Sequence, residues 1–451
     1  LPATAQHGRI GGFGAIPAGV PARRQGKGGL ELENLQLKQF SVNVTQAINR
    51  LLMTREGAVA DRSRLTDVQV LSRETDFEAL REEWDDLLDN SDQRVFFLRW
   101  FWNHLWWEQF RPAGGRLYLI ACRDQAGRLQ GLAPLYWQQR KTLGLPHVRD
   151  LRFIGTGVFA QTSEYLDIIA RRGWEREVAE TIAQLLEKRD DWDRLWLREA
   201  PATSLALSHL APVLGPGTEI SACNRSHHID AGTDWETFVE SLSRSTRKHL
   251  KRQTRKFLEK YDCRFRRAES EPELDTAIDA LVMLHQARWT SKGQPGSFSV
   301  AGFEQMVRRA ARAALPEGRL RLWTLELNGE IAAVRLAFCD DGLVHAIQGG
   351  FDPAHAKESL GSVMLGMCIK DCLDDPLVRA YDFMGGTDSY KDWWTKLGRD
   401  TQTLTYLRPG VRTVIYKLIL GTRHLARSGA RLVMPLSLRK KVYETSLRLR
   451  G

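Results

Sequence analysis

One long motif occurs twice in this chain. The stretch "RLYLIACRDQAGRLQGLAPLY" at 116–136 returns as "RLRLWTLELNGEIAAVRLAF" at 319–338, nearly position for position, with Asn328-Gly329 where the first copy has Ala126-Gly127. Each copy reads as two strands around a tight turn. The downstream segments repeat as well. The second copy continues with a strand "GLVHAIQGG", a helix "SLGSVMLGMCIKDCLDD" and a strand "VRAYDFMGG". Residues 164–200 parallel them with "SEYLDIIA", "GWEREVAETIAQLLEKRDDW" and "DRLWLREA". Self-similarity of this length points to two tandem copies of one α/β unit. A chain of 451 residues is also too long for one ordinary core.

The expected organisation is a first unit over 66–215 and a second over 226–408, the second including a basic helix at 243–261. Before them, 1–60 reads as a disordered extension. Its first 29 residues are rich in Gly, Pro and Ala, and bury too little surface to offset chain entropy. Met53 precedes the first well-patterned segment, so an over-extended gene start is a second reading of this region. The first unit opens with helical spacing at Phe77, Leu80, Trp84 and Leu87, followed by the aromatic helix "VFFLRWFWNHLWWEQF".

Composition matters where the charge sits. The net charge is +10, and Arg408–Gly451 alone holds eleven Lys or Arg against the single acid Glu444. The main body is therefore balanced, and the basicity belongs to a helical tail over 409–451. Its rhythm, with Arg412, Lys417, Arg423, Arg427 and Arg431 among apolar residues, suits docking on the protein body or lying on an anionic membrane surface. No apolar run is long enough to span a bilayer and no secretory leader is evident, so a cytoplasmic protein is expected, with peripheral attachment at the inner membrane face as a second expectation. Six cysteines without a CxxC pair read as reduced thiols, Cys368 and Cys372 among them as core residues. No metal site is expected. No HExxH, Walker loop or Ser-His-Asp ordering appears, which removes metalloprotease, P-loop and triad-hydrolase readings.

Three blocks in the second unit carry a resemblance: "LHQARWTSKGQPGSF" (284–298), "QGGFDP" (348–353) and "DFMGGTDSYKDWW" (382–394). In this order they resemble the FemAB-like, CelD-type acetyltransferases, the BioF2-like branch of the GNAT superfamily, over about residues 68–408. The resemblance implies an α/β (α+β) tandem double-GNAT fold, two mixed sheets flanked by helices, with the second unit catalytic and the first silent. It also implies acyl transfer from acetyl-CoA to a cell-envelope or exopolysaccharide (cellulose-type) amine or hydroxyl. Two alternatives stay open: a FemAB-like transferase using aminoacyl-tRNA, and a non-catalytic scaffold of a polysaccharide-synthesis complex. The loop Gly385-Gly386-Thr387-Asp388-Ser389-Tyr390-Lys391 departs from the family's usual Arg-Gly-Asp-Glu-Pro-Tyr-Lys pattern by losing the arginine and first acid.

Acyl transfer needs a polarised donor carbonyl, a base for the acceptor and an acid for the leaving group. For an amine acceptor with pKa near 10.4, holding it neutral at pH 7 costs about 4 to 5 kcal/mol. The resemblance places these roles on one loop: Asp388 as base or acceptor-orienting acid, Tyr390 as acid to the leaving group, Lys391 against developing charge, and Asp382 at the strand end. Expected around the substrate are His285, Arg288 and Trp289 on a helix face, Gln348, Trp393, Trp394, and Glu164 from the first unit; Asp167 is a further candidate. Gly361 and Ser362 open the helix that would meet a cofactor pyrophosphate, although Glu358 stands where a basic residue or Gln is usual, and an acid there repels that group. The basic helix presents Arg247 and Lys251 either as a solvated face or as contacts for a CoA or tRNA phosphate. Its Leu250, Phe257, Leu258 and Tyr261 form the apolar stripe. His227 and His228 read as edge-strand residues without a role.

Overall fold

The computed structural model describes residues 64–142, 145–157, 163–386 and 390–419. The expected N-terminal extension, the tail beyond 419 and Asp388 lie outside them. In the first half, β1 (Leu65–Leu71), α1 (Glu74–Ala79), α2 (Arg81–Asp89) and α3 (Trp100–Phe110) precede the hairpin β2 (Arg116–Asp124) and β3 (Leu129–Thr142). Then come β4 (Leu145–Phe153), β5 (Ile169–Ala170), α4 (Glu175–Lys188), β6 (Arg194–Pro201) and the short α5 (Ala211–Leu214). The second half runs β7 (Thr218–Asp230), α6 (Trp235–Ser241), α7 (Arg244–Lys260), β8 (Cys263–Arg267), α8 (Glu271–Thr290), α9 (Phe303–Ala314), the hairpin β9 (Leu320–Leu327) and β10 (Glu330–Asp340), β11 (Leu343–Phe351), α10 (Leu360–Asp374), β12 (Ala380–Asp382) and β13 (Gly398–Leu407).

The two mixed sheets are joined into one, in the order β1-β2-β3-β4-β6-β13-β7-β12-β11-β10-β9-β8, with β5 beside β3. The join is made by exchange: β13, from the end of the second half, pairs with β6 of the first, and β7 bridges. Thr218–His227 of β7 pair with β13, and His228–Asp230 pair with β12. His227 and His228 are thus at the centre of the sheet, correcting the edge-strand expectation. In each half a parallel pair sits at the equivalent place, β4 with β6 and β11 with β12.

The counterpart of β11 is β4, not "SEYLDIIA". Only Ile169–Ala170 of that segment is strand. Tyr165 takes a left-handed φ of 58°, which breaks an extended run, and the buried Asp167 carboxylate accepts the Leu205 and Ala206 N–H groups rather than leaving the backbone to a ladder.

Alternation along the second hairpin decides which core each side chain joins. Leu320, Leu322, Val334, Leu336 and Phe338 face α8, α9 and the first half's core, where Phe338 stacks on Phe96 with ring centroids 4.1 Å apart. Trp323, Leu325, Ala333 and Ala337 face the other way, against α6, α7 and α10. Along α7, Ser243 caps the first turn by accepting the Thr246 N–H at 3.1 Å. Leu250 and Phe257 are buried there, but Leu258 is exposed and drops out of the expected stripe. All six cysteines are free thiols, with Cys368 and Cys372 buried. No helix among the described residues is long and apolar enough to cross a membrane, and they contain no cluster able to hold a metal ion.

Candidate active site

The site lies where β11 and β12 part. They pair only over Leu343–His345 and Ala380–Asp382. A bulge in the β10 ladder, where Leu336 faces Gln348 but Ala337 faces Ala346, leaves Ile347 as the extra residue and bends β11 away. Gly350 allows the bent strand to lie on α8, since a Cβ there would meet the His285 backbone nitrogen at 2.5 Å. Between the parted strands is a cavity of about 170 Å³ lined by Gln348, Met384, Gly385, Tyr390 and Lys391, with Arg288 and Trp289 from α8, Lys292 just after it, Arg335 from β10 and Glu164 from the first half. A second cavity of about 310 Å³ shares Arg288, Arg335, Gly349 and Tyr390 with it and reaches Ser359, Gly361 and Ser362 at the head of α10. Cations outnumber the one lining carboxylate, Glu164, so this cleft attracts anionic or carbonyl oxygen.

The loop after β12 is built on Lys391. Its side chain is buried, and Nζ donates to the carbonyls of Met384 (2.7 Å) and Gly385 (2.8 Å), leaving its third proton for the cavity it lines. Asp382 is fully buried: Oδ1 accepts the Met384 N–H at 2.7 Å, while Oδ2 accepts the Tyr165 hydroxyl at 2.6 Å and faces Arg399 at 3.4 Å. Glu164 reaches across from the first half. Its carboxylate accepts the Gly385 N–H at 2.8 and 3.0 Å and the Ser226 hydroxyl at 2.6 Å. Only a glycine fits at 385, where a Cβ would lie 1.8 Å from Asn224 Nδ2. Burial pushes the Glu164 carboxyl up to about 7, against the Ser226 and Gly385 hydrogen bonds that favour its charge. Such a group exchanges protons near neutral pH.

Of the residues expected at the site, Tyr390, Lys391, Arg288, Trp289, Gln348 and Glu164 line the first cavity, and Gly361 and Ser362 the second. Others sit elsewhere. His285 lines neither; it is buried beneath the cleft with its ring against Phe298, and burial pushes it down to about 4. Trp394 is 5 % exposed and packs in the core with α10, so it offers no platform, whereas Trp393 is 52 % exposed and lines the second cavity. Arg247 and Lys251 border neither cavity. Arg247 donates to the Glu240 carbonyl at 2.9 Å, and the basic α7 residues that line the neighbouring groove are Lys248, His249 and Arg252. Glu358 is answered by Lys260, 3.1 Å away. Sequence reasoning missed Arg335, whose Nε donates to the Tyr381 hydroxyl at 2.6 Å, along with Ser226 and Tyr165. In "AAVRLAF" the arginine looks like an ordinary outward strand residue.

A family model described as an acetyltransferase (GNAT) domain matches residues 244–392, which contain the lining of the first cavity except Glu164. Among solved structures, the chain is similar to FemX at 12% identity and a TM-score of 0.52, over 78% of this chain and 100% of that one, a likeness of fold. It also aligns with the C-terminal domain of a putative lysylphosphatidylglycerol synthetase from Agrobacterium fabrum, at 9% identity and a TM-score of 0.46, over 76% of this chain and 95% of that one. No curated protein matches by sequence.

Proposed function

We propose that this chain, whose residues 244–392 match a GNAT acetyltransferase domain and whose fold is like that of FemX, moves an acetyl group from acetyl-CoA to an amine or hydroxyl of a cell-envelope or exopolysaccharide acceptor. The observation that carries this reading is the parted strand pair with its bulge at Ile347, opening on one side to a basic cavity at the head of α10. The pyrophosphate is assigned to the α10 terminus, where the first turn holds no acid. The acyl carbonyl is assigned to the bulge, beside Lys391 and Arg335. Glu164 then takes the acceptor proton, and Tyr390 supplies one to the departing thiolate. Asp388, outside the described residues, keeps the acceptor-orienting role that the loop pattern implies. Peripheral attachment to an anionic membrane is supported by residues 411–419, which are helical and expose Val411, Val414, Ile415 and Leu418 beside Arg412 and Lys417.

Calorimetric titration with acetyl-CoA tests the donor. Micromolar binding is expected, and absence of binding sinks this reading. The aminoacyl-tRNA donor is then favoured by one specific feature, a groove of about 1180 Å³ lined by Lys248, His249, Arg252, Lys396 and Trp393, of which His249 and Trp393 also line the donor cavity. Salt separates the two, because tRNA binding falls steeply with ionic strength.

A further inference from the structure

Glu164 and Tyr165 are neighbours in sequence but face different cavities. Glu164 lines the transfer cleft. Tyr165, together with His345 and Arg399, lines a separate cavity of about 580 Å³ beside the N-terminal ends of β11 and β12. The left-handed φ of 58° at Tyr165 turns the chain between them, and Met384 across the site has φ 60°. Strained non-glycine backbone at a site is held there by its surroundings.

Two short hydrogen bonds, Ser226 to Glu164 and Tyr165 to Asp382, lie between the two cavities. Ser226, fully buried on β7, donates to Glu164 Oε2 at 2.6 Å and also interacts with the Tyr165 hydroxyl. Tyr165 donates to Asp382 Oδ2 at 2.6 Å. His345, adjacent to Asp382 across the parallel pair, is completely buried, and neither ring nitrogen has a protein partner. A buried imidazole left this way costs stability and calls for a reason. Burial lowers its proton affinity, so the ring stays neutral and does not hold a proton that reaches it.

We propose that Glu164, Ser226, Tyr165 and Asp382 form a proton relay that carries the acceptor's proton from the transfer cleft through the sheet to the second cavity, with His345 as its outlet. The relay rests on the acyltransferase reading of the cleft. As the acceptor nitrogen or oxygen bonds to the acyl carbon and the thioester C–S bond breaks, the acceptor's proton goes to the Glu164 carboxylate. Glu164 passes a proton to the Ser226 oxygen, Ser226 passes its own to Tyr165, and Tyr165 passes its own to Asp382. One proton has moved from Glu164 to Asp382, and it leaves past His345 to solvent. The departing thiolate is protonated separately, so the sum is thioester plus acceptor giving acylated acceptor plus thiol. The charged groups bearing on Glu164 are Asp382 and Glu199, with Lys391, Arg335, Arg288 and Lys292 around the cleft. Ser226, Tyr165 and Asp382 act through Glu164 and are positioning residues.

The decisive variant is Tyr165→Phe, which keeps the ring against His345 and removes only the hydroxyl. Two measurements on the full chain test it. Infrared pH titration without substrate, with bands assigned by Glu164→Gln and Asp382→Asn, is expected to show coupling between the two carboxyls in the parent that weakens in Tyr165→Phe. Turnover with acetyl-CoA is expected to fall about ten- to a hundred-fold in kcat, with donor affinity unchanged and partial rescue by added imidazole. Independent titration in the parent overturns the relay, as does a Tyr165→Phe kcat equal to the parent's or a fall in kcat matched by lost donor binding. A parent that fails to bind acetyl-CoA sinks the donor assignment instead, and the infrared titration still decides the relay.

Discussion

The same parallel strand pair is built twice, and in one copy it is plugged. Between β4 and β6 the fully buried Asp150 carboxylate takes Arg152 Nη2 at 2.7 Å and Arg194 Nη2 at 2.6 Å, with both guanidinium groups over the Trp196 ring. Between β11 and β12 the equivalent space is a cleft. The helices after each pair's first strand differ in the same sense. α4 starts with Glu175 and Glu177, two acids in its first turn, so its positive end already carries negative charge of its own. α10 starts Leu360-Gly361-Ser362 with no acid. One half has kept an anion-receptive terminus and an open strand pair. The other has spent both on packing and lends Glu164 and Tyr165 to its partner. On the proposed function, duplication would separate chemistry from support.

The largest effect that would break this comparison is in the plugged half. Asp150→Ala leaves two buried guanidinium groups unpaired, and about 3 to 5 kcal/mol of unfolding free energy is expected to be lost in denaturant titration. Acetyl-CoA affinity measured at a permissive temperature is expected to stay within about two-fold, since nothing in the cleft touches Asp150. A loss of donor binding as large as the loss of stability would mean that the first half is a second working site.

Glu164 comes next, because it belongs to one half and serves the other. Its folded pKa of about 7 lies above the unfolded value, chiefly through burial. Below the unfolded value the carboxyl is protonated in both states and its contribution is fully present. As pH rises, the unfolded chain gives up that proton first, and the contribution is lost by the time pH passes the folded value. Glu164→Gln removes this dependence, so the parent is expected to lose roughly 3 kcal/mol relative to the variant between pH 4.5 and 7.5. Unfolding curves at both pH values check it; parallel curves would mean that Glu164 is solvated.

The sequence makes the duplication readable because hairpins carry their own pattern: alternation, then a turn dipeptide, then alternation. The Lys391 loop is equally readable, through its block order. β4 was not, since "LPHVRDLRF" carries a proline and three charged residues, and its role in the repeat is evident only from pairing with β6. The exchange of β13 into the first half is set by contacts between strands roughly two hundred residues apart, which no local pattern encodes. Trp393 and Trp394 are adjacent and chemically identical, yet one is half exposed and the other buried. Ser226 sits in a polar run, "CNRSHH", where nothing marks it as the partner of Glu164.

Smaller effects sharpen the contrast between the two helix termini. Ser362→Glu gives α10 an acid in its first turn, as α4 has, and is expected to weaken acetyl-CoA binding about ten-fold at low salt, with the difference shrinking as salt screens it. Calorimetry at two ionic strengths measures both parts. An unchanged affinity would move the pyrophosphate away from this terminus.

Glu358→Gln is expected to do least. The sequence places this acid beside the pyrophosphate terminus, where repulsion would weaken the donor. In the structure its carboxylate turns away from the donor cavity to Lys260, at 3.1 and 3.2 Å, and to the Tyr261 hydroxyl. The Lys260 contact holds it below the usual carboxylate range, so it stays ionised and its charge is met locally. An exposed pair of this kind contributes little to stability, and an acetyl-CoA affinity within about two-fold of the parent is expected at low salt. Markedly tighter binding by the variant would mean that the carboxylate still reaches the phosphate. The open half would then keep an acid near its helix terminus as α4 does, and the difference between the halves would be one of degree.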